Sequence, residues 1–379
     1  MRIGIVTGEY PPMQGGVGAY TRILALELAR QGQEISIFSS MAAREADPAL
    51  RLTNPIQAWG PGSLLTIRQW ANAEQLDVIN LQFQTAAYNL SPWIHFLPDA
   101  VPSIPVVTTF HDLRFPYLFP KAGALRPWIV RRLAQASRAV IVTNHEDHAE
   151  LQGNIQATLI PIGSNILKNL PPNDDREARR AMAGAKHDDF LIAFFGLLNH
   201  SKGLDTLLQS LVQLRHEGIA AQLLLVGGGL GSSDPTNAAY AQELRTRIQQ
   251  LELTDYVHET GYLDDEAEVG AYLRASDVVA LPFLDGVSYR RGSLMAAIHY
   301  GCTIISTQPQ VNIPTFRDGE NLLLVPAGNS MALSTALRNA YQQPALRKRL
   351  GHGAAALAHE FEWESIARGY VRVFEQVTA

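Results

Sequence analysis

The sequence predicts an α/β protein built from two doubly wound parallel-sheet domains. Three observations carry this: short apolar runs that do not alternate, glycine-bearing loops directly after several of them, and a restart of the same plan halfway along the chain. An apolar run without alternation is buried on both faces, which calls for helices above and below a parallel sheet.

The first run, Ile3 to Val6, leads into GEYPPMQGGVG and then a helix on which Val17, Tyr20, Leu24 and Leu28 share one face until Gly32 stops it. EISIFSS reads as a second strand, LDVINLQF (Leu76 to Phe83) as a third and IPVVTTFHD as a fourth. Arg138 to Thr143 and Ala157 to Pro161 follow as the fifth and sixth. After the polar segment NLPPNDDREARR the plan restarts with Phe190 to Phe195, the loop GLLNHSKG, and a helix lined by Leu204, Leu207, Leu208, Leu211 and Leu214. Gln222 to Val226, the loop GGGLG, a helix around Glu243 to Leu251, and the runs Tyr256 to Glu259, Asp277 to Leu281 and Cys302 to Ser306 complete it. The expected domains are residues 1–168 and 169–360, with 361–379 an amphipathic helix that crosses back to the first domain. Ligands of open parallel sheets collect at the carboxyl ends of the strands, so the two domains are expected to face a central cleft lined by the glycine loops.

Composition narrows the function. The 379 residues are 46% hydrophobic and 18% charged, as in soluble globular proteins, and a formal charge of -5 argues against a nucleic-acid partner. Cys302 is the single cysteine, which excludes an internal disulfide and points to packing in a reducing compartment. The N-terminal apolar run is too short for a secretory signal, and no segment reaches the roughly 20 apolar residues that span a bilayer. A cytoplasmic protein is expected, with any membrane contact peripheral at the inner face.

Gly15-Gly16-Val17-Gly18 permits close backbone approach to an anion at a helix start, or simply makes a tight turn. A dinucleotide fingerprint would need a third glycine three residues after Gly18 and an acid ending the second strand; the chain has Thr21 and Ser39-Ser40, which disfavours a nicotinamide dehydrogenase. Lys202-Gly203 puts a cation just before a helix. That opposes the helix dipole and suits an anionic ligand such as a diphosphate.

Taken in order, EYPPMQGGVGAYTRILALELARQG, TFHDL, FGLLNHSKGLDTLLQSL, LLLVGGG, ASDVVALPF, GCTIIST, RDGENLLLVPAGN and a final helix bearing Trp363 resemble the retaining glycosyltransferases of family 4 (glycosyl transferases group 1) over nearly the whole chain. The resemblance implies the GT-B architecture, two Rossmann-like domains, and transfer of a hexose from a nucleotide-diphosphate sugar to a glycan or lipid-linked acceptor with retained anomeric configuration. It also implies a C-terminal donor domain, an N-terminal acceptor domain, no cofactor beyond the donor substrate and no metal. By the same resemblance Lys202 falls on the diphosphate lysine, Gly15 and Gly16 lie beside the donor phosphates, and His111 lies by the reacting sugar. Lys202 and His111 are therefore the catalytic candidates, and Asn199 and Gly228 join the donor side. A retaining reaction needs a nucleophile on the far face of the sugar or a same-face attack assisted by the leaving phosphate. No paired-carboxylate arrangement for the first is visible, and the second makes stabilisation of the leaving diphosphate the main catalytic task.

The chain also departs from the family. Leu197 stands where an arginine typically follows Gly196, and Ser288 and Ala296 stand where two glutamates typically contact the donor sugar and the ribose. Arg290 and Arg291, just ahead of a helix expected near Ser293, are candidate replacements because arginine grips phosphate as a bidentate fork. Asp285 is a candidate for the sugar hydroxyls, and nothing nearby replaces the ribose contact.

From Leu113 to His145 lie Arg114, Lys121, Arg126, Arg131, Arg132 and Arg138 without an acid, interleaved with Phe115, Tyr117, Phe119 and Trp128. This fits an anionic membrane surface or lipid-linked acceptor, with Arg126, Arg131 and Arg132 on the acceptor side. It equally fits a basic helix whose aromatics enter the core. Against an active transferase stand two alternatives, a catalytically silent GT-B module that binds a nucleotide or glycan and another GT-B enzyme such as a nucleotide-sugar epimerase. The lost glutamates favour the silent module, and the retained Lys202 and His111 oppose it.

Overall fold

A computed structural model describes the chain apart from residues 14, 114–122, 124, 167–169, 172–173, 228–234 and 264 and the side chains of 126 and 235–238. The chain divides into two compact units, Met1–Gly163 with Glu362–Ala379, and Ser164–Phe361.

In the first unit β1 (Arg2–Thr7), β2 (Glu34–Ser40), β3 (Leu50–Ile56), β4 (Val78–Phe83), β5 (Val106–Phe110), β6 (Ala139–Val142) and β7 (Ala157–Leu159) alternate with α1 (Gly16–Arg30), α2 (Pro61–Ala73), α3 (Leu97–Ala100), α4 (Leu125–Ala136) and α5 (His145–Leu151). The strands form a parallel sheet in the order β3-β2-β1-β4-β5-β6-β7. All residues of β4 and β5 are buried, as their unalternating apolar character requires. LDVINLQF is the fourth strand and not the third, because LRLTNPI forms β3 ahead of it. That segment carries polar residues and Pro55, which the ladder tolerates because β3 is an edge strand.

In the second unit β8 (Phe190–Phe195), β9 (Ala221–Val226), β10 (Val257–Gly261), β11 (Val278–Leu281), β12 (Ile304–Thr307) and β13 (Leu323–Val325) pair in the order β10-β9-β8-β11-β12-β13, all parallel. Its helices are α6 (Arg176–Met182), α7 (Leu204–His216), α8 (Pro235–Gln250), α9 (Glu266–Ala275), α10 (Gly292–His299), α11 (Ser330–Gln342) and α12 (Pro344–Leu357). Leu204, Leu207, Leu208, Leu211 and Leu214 are all fully buried on α7, the face their spacing predicts. The final helix, α13 (Trp363–Thr378), belongs to the first unit, where Ile366, Ala367, Tyr370, Val373 and Phe374 join Ile3, Ile5, Val78 and Val107 in one core.

The strand order of each sheet reverses once. The strand that starts each unit lies between the second and the fourth strand of that unit, so the first unit has a topological switch between β1 and β4 and the second between β8 and β11. Loops leaving the paired strands at such a point diverge and open a crevice, the usual ligand position of this fold.

Candidate functional site

In the second unit the switch-point loops bring two cations to one aromatic ring. The loop after β8 ends in a turn, His200–Lys202, closed by Gly203 at φ +71°. A Cβ at Gly203 would lie 1.9 Å from the carbonyl oxygen of Pro282, so only glycine lets this turn press against the loop after β11. Pressed there, the Lys202 Nζ lies 5.2 Å from the Phe283 ring centroid and the Arg291 guanidinium carbon 4.6 Å from the same centroid. Arg291 is the N-cap residue of α10 and pairs with Asp285. Burial, and then the charge of Arg291, push the Lys202 ammonium down to about 8, with Asp285 opposing the shift.

Two cations thus share one carboxylate. The Oγ of Ser293, in the first turn of α10, is buried and has no hydrogen-bond partner among the described residues. Cations crowded against the positive end of a helix, with an unused hydroxyl beside them, form a cradle suited to phosphate. Gly196, at φ +137°, faces the same hydroxyl: its Cβ position lies 3.8 Å from the Cβ and Oγ of Ser293.

The positions that depart from the family have distinct surroundings. Leu197 is 48% exposed, Ser288 is buried, and Ala296 is completely enclosed within α10. Asp285 is engaged by Arg291, so it does not offer a bare carboxylate. Asn199 caps the Lys202 turn, accepting the Ser201 hydroxyl at 2.8 Å on its side chain and the Lys202 amide at 3.1 Å on its carbonyl. Gly228 lies outside the described residues. Among the described residues no three His, Cys, Asp or Glu side chains cluster as a metal site would require. Cys302 is buried, and desolvation pushes its thiol up to about 12.

In the first unit the glycine loop already holds an anion of its own. A Cβ at Gly15 would lie 1.3 Å from Oε1 of Glu9, and the Gly18 amide donates to the same oxygen at 3.5 Å. Glu9 thus occupies the space beside Gly15, whereas Gly16 has open space at its Cβ. Burial, only partly offset by the Gly18 amide, raises the Glu9 carboxyl above its usual range. A raised acid costs stability once ionised, so Glu9→Gln is expected to raise the melting temperature at neutral pH. The gain should shrink as pH falls below the folded pKa, where Glu9 is already neutral. Calorimetric melts of both proteins across pH 4 to 8 measure this; a gain that grows on acidification would contradict it.

His111 follows β5 and is half-buried; its Nε2 meets Oε1 of Gln82 at 2.7 Å, and Tyr20 packs edge-on against its ring at 4.9 Å between centroids. Burial pushes its imidazole down to about 4, so it is neutral near pH 7. The sequence reading missed Glu9, Gln82, Phe283 and Ser293. Only Asn80 and Gln82 left a signal, as two polar residues at alternate positions in the apolar run VINLQF.

Within the basic segment, Arg114, Phe115, Tyr117, Phe119 and Lys121 lie outside the described residues, as does the side chain of Arg126. Trp128 is 52% exposed and Leu125 is 57% exposed on α4, so neither enters the core. Arg131 is exposed. Arg132 stacks 4.4 Å over Phe96, pairs with Asp99 at 2.8 Å and donates to the His95 carbonyl at 3.2 Å. Among the described residues no helix is long and apolar enough to cross a membrane.

Two Rossmann-like parallel-sheet units, the second with Lys202 and Arg291 over Phe283 at its switch point, define the class of this protein as GT-B. The model of glycosyl transferases group 1 matches residues 175–356, and that of glycosyltransferase family 4 matches residues 14–165. The chain belongs to this glycosyltransferase family. It is 26% identical to a phosphatidyl-myo-inositol mannosyltransferase of Mycobacterium leprae, over 100% of this chain and 97% of that protein. A solved sucrose-phosphate synthase from Thermosynechococcus elongatus matches with a TM-score of 0.79 at 21% identity, covering 99% of this chain and 98% of the other. Anabaena HepE, solved in complex with UDP, matches with a TM-score of 0.73 at 18% identity, covering 99% and 100%.

Proposed function

We propose that the protein moves a hexose from a nucleotide-diphosphate sugar to an acceptor hydroxyl with retention of anomeric configuration. The observation that carries this reading is the pair Lys202 and Arg291 over Phe283 at the start of α10, beside the unused Ser293 hydroxyl. Charge developing on a leaving diphosphate is what such a cradle stabilises best. In the same-face reaction the acceptor oxygen bonds to the anomeric carbon as the carbon–phosphate-oxygen bond breaks, and the acceptor proton passes to the departing diphosphate. Arg291 supplies the charge that Leu197 does not, which offsets one departure from the family pattern. His111 contributes a neutral imidazole near the reacting sugar. The donor is assigned to the second unit and the acceptor to the first, and no cofactor or metal beyond the donor substrate is required.

The enclosed Ala296 and the engaged Asp285 favour one competing reading, a nucleotide-binding module without turnover. Thermal-shift screening against UDP, GDP, ADP and their sugars separates the two when joined to an assay for sugar release. One nucleoside diphosphate at about 100 times its Kd should stabilise the protein by about 2.7 kcal/mol. No response to any of them would overturn donor binding; a response without release would favour the silent module.

The acceptor is proposed to be lipid-linked, reached by peripheral contact at the inner membrane face. The exposed Trp128 and Leu125 beside Arg131 support this, as does the acceptor named for the M. leprae relative. Trp128→Ala is expected to reduce sedimentation with phosphatidylglycerol-rich vesicles several-fold. Equal sedimentation of the two proteins would remove the membrane contact.

A further inference from the structure

A polar chain crosses an otherwise apolar face of the first sheet and ends on His111. Asn80 and Gln82 on β4 pair in register with Val107 and Thr109 on β5, so these side chains share the face covered by α1 and α13. The neighbours on that face, Ile3, Ile5, Val78 and Ile141, are hydrophobic. Buried amides are costly unless satisfied, so their presence here asks for a reason.

The hydrogen bonds run in one direction, and a backbone carbonyl sets it. Asn80 Nδ2 lies 3.0 Å from the Val107 carbonyl oxygen, which can only accept. That orients the Asn80 amide and turns its Oδ1 toward Gln82, whose Nε2 donates to it. Gln82 must then present Oε1 to His111, and the ring nitrogen 2.7 Å away, Nε2, must donate. The Asn80 amide also donates to the Thr109 hydroxyl at 3.0 Å. From α13, Tyr370 comes within hydrogen-bonding reach of Thr109, Gln82 and Tyr20, with its hydroxyl 2.9 Å from that of Tyr20. From the Val107 carbonyl through Asn80 and Gln82 to His111, each group therefore has its role assigned by the one before it.

We propose that Gln82, oriented by Asn80, is a positioning residue that holds His111 as the Nε2–H tautomer and leaves Nδ1 as the only acceptor on the ring. A neutral imidazole in this tautomer takes a hydrogen bond from a hydroxyl at Nδ1. It does not act as a cation toward the leaving phosphate. The consequence for turnover rests on the proposed role of His111 in sugar transfer; the tautomer itself does not.

Ring nitrogen-15 shifts of selectively labelled histidine, with His111 assigned by comparison with His111→Ala, test the proposal in the wild-type protein. Nε2 is expected to be protonated and Nδ1 unprotonated at pH 7; the opposite pattern would overturn it. In Gln82→Met the acceptor is lost, and His111 should exchange between tautomers with kcat lowered roughly tenfold, the equivalent of one hydrogen bond. Gln82→Glu keeps an acceptor opposite Nε2, although it no longer donates to Asn80, and should keep Nε2 protonated, a result that a purely structural role does not require. Retention of the Nε2–H form in a folded Gln82→Met protein would also overturn the proposal. Full transferase activity in His111→Ala would instead overturn the role of His111 in the reaction, while the nitrogen shifts continued to report on Gln82.

Discussion

Lys202→Met is expected to raise the melting temperature of the free protein and to weaken nucleoside-diphosphate binding by one to two orders of magnitude. The two effects share one cause. Burial and the Arg291 charge hold the Lys202 ammonium near 8, well below its usual 10.5. Between those values the unfolded chain binds more protons than the folded one, so stability rises with pH in that window; below about 8 the full cost of the charged lysine is present. Methionine keeps most of the volume without the charge, which removes that cost at pH 7. A hydrogen bond from a charged group is worth about 1.5–3 kcal/mol, or roughly tenfold to a hundredfold in affinity, and that is what the bound diphosphate would lose. In the wild-type protein, affinity should also fall as pH rises through about 8, where free Lys202 loses its proton, while the variant shows little of this slope. Calorimetric melts and titrations at pH 7 to 9.5 measure both quantities. A variant that is destabilised and still binds normally would remove Lys202 from the cradle.

How far the cradle could be read from sequence follows from the distances along the chain that it spans. Lys202 announced itself by contradicting the helix dipole, and Arg291 by standing just ahead of a helix start, both local signals. That they meet over Phe283 depends on β8 and β11 being neighbours, although 82 residues separate the end of β8 from the start of β11, a pairing no local pattern encodes. The buried strands were legible because unalternating apolar runs have few other uses in a soluble chain. The edge strand β3 was not, because an edge tolerates the polar residues and proline that erase the signal. Gly15 shows a different limit. The Glu9 carboxylate, six residues away, lies beside it, and glycine alone does not distinguish an internal carboxylate from a ligand phosphate. His111 carried no local sign of its tautomer either, since that is set by a Val107 carbonyl two amides away.

Phe374→Ala should produce the largest loss of stability, about 3–5 kcal/mol, and the loss should fall on the first unit alone. Phe374 is completely buried with Tyr370 and Val373 against Ile3, Ile5 and Val107, although it lies in the last helix of the chain. That helix has no strand of its own and is held by packing: Gly369 approaches Ile160 so closely that a Cβ there would lie 3.3 Å from its Cδ1, and the Trp363 ring packs at a tilt against Tyr20, 5.0 Å between centroids. A cavity at Phe374 loosens the helix that carries Tyr370, so the loss reaches the polar chain under His111 as well as the core. Lys202, Phe283 and Arg291 lie entirely within Ser164–Phe361, whose own sheet the substitution does not touch. Thermal unfolding should therefore separate into an early step that removes histidine-111 nitrogen signals and a later one that nucleoside diphosphate still delays. A single transition shifted as a whole would show that the two units unfold together, and the effect of α13 on His111 would then be inseparable from global stability. Tyr370→Phe, which keeps the ring and removes one hydroxyl, provides the contrast: a cost of about 1 kcal/mol with the core intact.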